Sequence, residues 1–261
     1  MPDCRRIALL LEYDGYDFHG FQDQGELRTV QQVVQNALRD LSGEADLQII
    51  SSSRTDQGVH ARGLICHLDT ALNVPLDRLP LALNNRLPDD VALLAATEAP
   101  PGFHARYDAV GKIYTYRYYL SPTRPVLSRH QAPHVFGPVD LDRMREALPY
   151  LCGTHDFYAF MDQNNNPKHT TIRTIHQLDL TFDRPFLTLH VNGNGFLYHM
   201  VRILAGTVLA VGQDKIRPQD IPQILRSRDR RLAGKTMPPQ GLCLETVLYP
   251  FPLFEPMEAR L

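Results

Sequence analysis

The order in which strand-like and helix-like segments follow one another constrains this chain more than any other feature. Residues 6–13 form a short apolar run that stops at Asp14-Gly15 and reads as a buried strand. Thr29 and Gln32 have the spacing of an N-terminal capping box. Val30, Val33, Val34, Ala37, Leu38 and Leu41 then recur at helical intervals until Gly43 ends the helix. Residues 46–53 and 63–70 alternate like strands. Residues 76–87 read as a helix interrupted in pattern by Pro80, and 91–96 as a further strand. The first part of the chain thus runs β-α-β-β-α-β.

Pro100-Pro101-Gly102 breaks that pattern. A domain boundary is expected shortly afterwards, giving halves 1–108 and 109–261. Residues 112–120 form an aromatic-rich strand with Tyr114, Tyr116 and Tyr118 on one face. A helix over 141–151 follows, then a hairpin of 171–182 and 185–192 turning at Asp183-Arg184. Residues 196–211 make the most apolar helix, Pro218 opens another to about residue 228, and 242–249 form a final strand. The second half therefore repeats the order β-α-β-β-α-(α)-β without a residue-level repeat. The arrangement implies an α+β fold with mostly antiparallel sheet.

Composition narrows the function classes. The 261 residues correspond to one large domain or two small ones at about 150 residues each. With 43% apolar and 21% charged residues the chain is not predominantly disordered. Cys4, Cys66, Cys152 and Cys243 include no CxxC pair, so a zinc-finger spacing is absent. The charged opening lacks a secretory signal, which points to the reducing cytoplasm. The longest apolar stretch, 196–212, carries His199 and Arg202 and is short for a membrane span.

The net charge of −2 argues mildly against a nucleic-acid binder, but the charge is segregated. Residues 10–47 carry eight acids and two Arg. Residues 104–129 carry five bases against Asp108, and 214–235 carry seven bases against three acids. Basic stretches beside Tyr and Phe suit a groove that binds phosphates and bases, although charge runs are more often solvated surface.

Between two expected strands lies Ser51-Ser52-Ser53-Arg54-Thr55-Asp56-Gln57-Gly58-Val59-His60-Ala61. A polar loop on a rigid sheet is a good place for a reactive group. Asp56 has the chemistry of a nucleophile or general base, and Arg54 that of a phosphate ligand. Thr-Asp-x-Gly is also an ordinary turn in which Asp bonds backbone amides.

These residues resemble a family. Arg54-Thr55-Asp56-x-Gly58-Val59-His60-Ala61 is similar to the signature loop of the tRNA pseudouridine synthase A (TruA) family. Tyr13-Asp14-Gly15, Gly20-Phe21-Gln22 and Thr29-Val30-Gln31 resemble its opening. Leu83-Asn84, Leu87-Pro88 and Phe103-His104-Ala105-Arg106 resemble its middle, followed by Lys112-x-Tyr114-x-Tyr116. Gly153-Thr154-His155-Asp156-Phe157, Thr171-Ile172-Arg173, Phe196-Leu197-x-His199-Met200-Val201-Arg202, Gly206, Val211-Gly212 and Gly241-Leu242-x-Leu244 complete the series in family order. Two positions depart: Ser53 stands where the family usually has Gly, and Phe21 where it usually has Trp.

The resemblance implies two ferredoxin-like halves with joined sheets and a central active-site cleft. It implies isomerisation of uridine to pseudouridine at tRNA positions 38, 39 and 40, without metal or cofactor. By the same resemblance Asp56 is the catalytic carboxylate, Tyr114 stacks on the target uracil, and Arg202 pairs with Asp56 in the cleft. An Arg inside an apolar helix is costly unless paired, which agrees with that role. Arg54 matches the residue that holds the RNA and fills the gap left by a flipped base. His60, Arg106 and Lys112 are expected RNA contacts or loop-shaping residues. The family acts as a homodimer in which one tRNA touches both subunits, so basic stretches from two copies line one groove. The competing readings are a same-family enzyme with another RNA target, a non-catalytic tRNA-binding module, and an unrelated carboxylate-dependent hydrolase. His155-Asp156 also suggests a metal-dependent hydrolase, which needs further His and Asp pairs that the sequence lacks.

Overall fold

The computed structural model describes residues 4–162 and 170–254. In chain order the elements are β1 (Arg5–Tyr13), α1 (Val30–Ser42), β2 (Ile50–Ser51), β3 (His60–Thr70), α2 (Leu79–Asn84), β4 (Val91–Glu98), β5 (Gly111–Leu120), β6 (His134–Val135), α3 (Leu141–Leu151), β7 (Gly153–Asp156), β8 (Ile172–Asp183), β9 (Phe186–Gly193), α4 (Met200–Gly212), α5 (Ile221–Ser227) and β10 (Leu242–Leu248). The chain forms two compact units: residues up to Val110 together with those from Leu244 onward, and Gly111–Cys243. The fold is α+β, and strand pairing within each unit is mostly antiparallel.

In the first unit the strands lie in the order β4-β1-β3-β10, with β2 also on β3. Leu9, Leu11, Leu64 and Leu68 are buried on the sheet, and α1 covers it with Val30, Val34, Ala37 and Leu38. Helix α1 starts at the expected cap: the Thr29 hydroxyl accepts the Gln32 amide at 3.4 Å, and Gly43 closes the helix at φ 75°. Only half of the capping box forms, because the Gln32 side chain donates instead to the Gly25 carbonyl at 2.9 Å. The strand expected over 46–53 shrinks to Ile50–Ser51. Two partners share that edge of β3. Ile50 and Ser51 pair with His67 and Cys66, while a Cβ on Gly63 would lie 2.3 Å from the Glu245 carbonyl oxygen. Helix α2 begins at Leu79, so Pro80 opens it rather than interrupting it, as its missing N–H favours.

In the second unit the order is β5-β9-β8-β7, with β6 parallel to β5. The β8–β9 hairpin pairs Asp183 with Phe186, so Arg184-Pro185 forms its two-residue turn. Helix α3 spans 141–151 as expected, with the Asp140 carboxylate accepting the amides of Asp142 and Arg143. The apolar helix is shorter than its pattern: it starts at Met200, after a left-handed residue at His199. It is almost wholly buried. Among the described residues no helix is long and apolar enough to cross a membrane.

His67, buried on β3, accepts the Ala105 amide on Nδ1 at 3.1 Å. Burial, reinforced by Arg6 and His104, pushes its pKa down to about 4. The unfolded chain binds that proton near pH 6.5, so below this value unfolding takes up a proton that the fold refuses. The contribution of neutral His67 is complete above about pH 6.5 and is lost as pH falls towards 4. In thermal melts from pH 7 to pH 4, the Tm of the parent chain is expected to fall more steeply than that of His67→Gln. Parallel curves for the two proteins refute this.

Candidate active site

The loop carrying Asp56 connects β2 to β3 and is tied down by backbone and side-chain bonds together. Ser52 donates its amide to the Ile65 carbonyl at 2.8 Å and accepts the Ile65 amide on its hydroxyl at 3.2 Å. The Thr55 carbonyl accepts the Phe21 amide at 3.1 Å, and its hydroxyl meets the buried Tyr13 hydroxyl at 2.8 Å. The Gly58 amide donates to the Phe18 carbonyl at 3.2 Å. A bond from the Val59 amide to the Asp56 carbonyl, also 3.2 Å, closes the turn, with Gly58 at φ 75°.

Two glycines explain why the segment 15–21 receives this loop. A Cβ on Gly15 would stand 1.9 Å from the Val59 carbonyl oxygen. One on Gly20, itself at φ 91°, would stand 2.8 Å from the Thr55 carbonyl oxygen. Backbone therefore lies directly on backbone. Thr55, Gly58 and Val59 are buried, Asp56 is half-buried and Arg54 is exposed. His60 completes the seat: its Nδ1 accepts the Gly15 amide at 3.1 Å, with an Asp14 carboxylate oxygen 3.0 Å away. Phe21 is fully buried, and the Ser53 carbonyl accepts the Ser51 hydroxyl at 2.9 Å.

Arg106, also in the first unit, is exposed on a turn held from inside. His104 Nδ1 accepts the amides of Arg106 and Tyr107 at 3.2 Å, Asp108 accepts the His104 amide at 2.8 Å, and the Tyr249 hydroxyl donates to the Ala105 carbonyl at 2.6 Å.

In the second unit three tyrosines of β5 are buried but not equivalent. Tyr116 donates its hydroxyl to the Pro238 carbonyl at 2.8 Å and Tyr118 to the Ala205 carbonyl at 2.9 Å. Burial raises both phenols above their usual range. Those two are structural. Tyr114 pairs with Val191 across the sheet, and its ring meets Phe196 edge-on, at 5.3 Å and 88°. Lys112, half-buried, is the second residue of the same strand and pairs with Gly193.

Arg202 lies in the first turn of α4. Its Nε donates to the Met237 carbonyl at 2.7 Å, and its own carbonyl accepts the Met237 amide at 3.2 Å. Met237 can come so close because Gly206 and Gly234 lack side chains: a Cβ on Gly206 would lie 1.8 Å from the Lys235 carbonyl oxygen. The sequence hides this partner, because Met237 acts through its backbone. The one signal was a glycine in the middle of an apolar helix.

The two basic stretches also separate. Much of 214–235 is committed internally: Arg217 to Asp220 at 2.9 Å, Arg228 to Asp156 at 3.2 Å, Arg231 to Asp229 at 2.7 Å, and Arg230 to the Gly234 carbonyl at 2.8 Å. In the other stretch no acid occurs between residues 109 and 139, and Arg106 and Arg124 are exposed. His155 and Asp156 bind within the fold: His155 contacts the Cys152 carbonyl at 2.7 Å, and Asp156 accepts the Thr171 hydroxyl. Among the described residues no group of three His, Cys, Asp or Glu side chains is placed to hold a metal ion.

The pattern of the tRNA pseudouridine synthase family matches residues 10–108 and 147–250. The tRNA pseudouridine synthase A of Caldicellulosiruptor bescii is 43% identical over 245 residues, covering 94% of this chain and 100% of that protein. The Acetivibrio thermocellus protein of the same name matches at 43% with the same coverage. That of Bacillus subtilis matches at 43%, over 94% of this chain and 99% of its own.

Gly20 and Gly25 both have positive φ, but a Cβ on Gly25 would meet nothing within 4 Å. In urea denaturation Gly25→Ala is expected to cost about 1 kcal/mol, the strain alone. Gly20→Ala is expected to cost about 2 kcal/mol more, because the Thr55–Asp56 backbone must move. Equal losses refute the seating of the loop on Gly20.

Proposed function

The chain belongs to the tRNA pseudouridine synthase family, whose members are isomerases acting on tRNA, and from that premise we propose that it isomerises uridines 38–40 of the anticodon stem-loop with Asp56 as the catalytic carboxylate. The reaction breaks the C1′–N1 bond, turns the uracil and joins C1′ to C5. The C5 proton leaves and N1 gains one, so atoms balance without a redox cofactor.

One observation carries the assignment of Asp56. Asp56 is half-buried on a turn whose flanking backbone groups are fixed to β3 and the segment 15–21. A carboxylate held this way keeps its direction when RNA arrives, which is the preorganisation that attack on the sugar or base, or removal of a sugar proton, requires. Tyr114 supplies an aromatic face for the uracil, its ring set by the edge of Phe196. Arg202, anchored through Nε, has a guanidinium fork suited to pairing with a carboxylate and keeping it ionised. The reading requires these three side chains to serve one reacting nucleotide.

Exposed Arg54 suits the space left by a flipped base, and Arg106 and Lys112 suit phosphates. His60 shapes the loop through Gly15 and Asp14. The enzyme works in the cytoplasm as a homodimer, which lets a chain of net charge −2 gather enough cationic surface for tRNA.

The test is tritium release from a tRNA transcript carrying 5-[³H]uridine, with chelator present. The parent protein is expected to release label, and Asp56→Asn to be slower by at least about 1,000-fold, as for loss of a nucleophile. Equal release by both proteins overturns the role of Asp56. Light scattering is expected to give twice the chain mass, and a fully active monomer overturns the dimer.

A further inference from the structure

His199 is the least expected backbone feature of the second unit. It has φ 61° and ψ 3°, the left-handed region that residues with a Cβ seldom enter. Among the described residues only Asp214 and Arg228 share this among non-glycines. Both follow helices, where a left-handed residue is the usual way to stop. His199 instead stands before a helix.

A helix start is normally served by Ser, Thr, Asn or Asp, whose oxygen accepts an amide of the first turn. His199 makes no such side-chain cap. Glycine would adopt the same angles without steric cost. The residue is therefore explained by its ring. Nδ1 lies 3.2 Å from an Asp162 carboxylate oxygen, and the ring stacks on Tyr198 at 3.8 Å. The Asp162 amide in turn donates to the Tyr198 carbonyl at 3.3 Å. Asp162 follows a short helical turn, Tyr158–Phe160, whose Phe160 is fully buried beside buried Phe157. The corner at His199 is thus fastened to the core by side chain and backbone together.

What the corner controls is close by. The His199 carbonyl accepts the Ile203 amide at 3.0 Å, the first i to i+4 bond along this helix, and Arg202 lies inside that turn. The other side of Arg202 is held by Met237. We propose that His199 and Asp162 are positioning residues for Arg202: the pair fixes the left-handed entry to α4 and affects the reaction only through the guanidinium. The inference rests on the reading of Arg202 given above.

Four variants of the full chain separate the parts. His199→Ala loses both ring and pairing. His199→Asn tolerates the left-handed angles and offers an amide to Asp162. Arg202→Lys removes the fork, and the fourth variant combines His199→Ala with Arg202→Lys. Single-turnover tritium release, tRNA affinity and Tm are measured on each. His199→Ala is expected to slow the chemical step about 100-fold, the effect of a displacement of about 1 Å, with tRNA affinity changed less than about threefold. His199→Asn is expected to recover most of the rate. The double variant is expected to be no slower than Arg202→Lys alone, because a residue acting through Arg202 has nothing left to position. A wild-type rate in His199→Ala, additive losses in the double variant, or a loss that lies in tRNA affinity overturns the proposal. Full activity in Arg202→Lys overturns instead the reading on which it rests.

Discussion

Backbone packed directly on backbone sets the position of the Asp56 loop. Gly15 and Gly20 remove the Cβ atoms that would otherwise stand between the segment 15–21 and the carbonyls of Val59 and Thr55. The loop's place is then fixed by the register of β1 on β3, where Tyr13 faces Ala61 just past an irregularity at Leu11. The second unit repeats the device: Gly206 on α4 meets the backbone of Gly234 and Lys235, which brings Met237 to Arg202. Contacts of this kind give precise placement because no rotamer intervenes. They are also unforgiving, since the smallest side chain displaces main chain rather than a flexible tip.

The arginines divide along the same line. Some are consumed in holding the fold: Arg28 on Asp90, Arg6 on Asp69, and Arg228 on Asp156. Counting charge along the sequence does not separate these ion-paired arginines, of which Arg228 is itself exposed, from exposed Arg54, Arg106 and Arg124. The net charge of −2 and the basic excess over 214–235 therefore do not show how much of that charge is engaged by acids of the fold. The stretch from 109 to 139 differs in holding no carboxylate among its bases.

Elements that carry their own boundary chemistry were legible. Helix α1 has Thr29 and Gly43, α3 has Asp140, and β5 and β9 alternate apolar or aromatic residues with polar ones. Elements whose ends are set by neighbours were not. Strand β2 is cut to Ile50–Ser51 where β10 takes over β3, and α4 loses Phe196 to Tyr198 to a corner that hydropathy does not register. The same distinction applies at the candidate site. Asp56, Tyr114 and Arg202 were nameable as expected site residues because a motif carries their side chains. Met237 was not, because a carbonyl does its work. Nor was the conformation of His199, because histidine does not advertise a positive φ.

This distinction bears on the departure from the family pattern at Phe21. Phe21 is fully buried, but it touches the loop through its amide, donated to the Thr55 carbonyl at 3.1 Å. An aromatic of different size leaves that bond in place provided the pocket is filled. Ser53 likewise meets Ser51 through its carbonyl. At Phe21 the main chain does the holding, so the side chain there is bounded by volume. Gly15 and Gly20 occupy the opposite kind of position, where the absence of a side chain is itself the contact. Conformity to the motif at those two glycines therefore bears more on the loop than the departure at position 21 does.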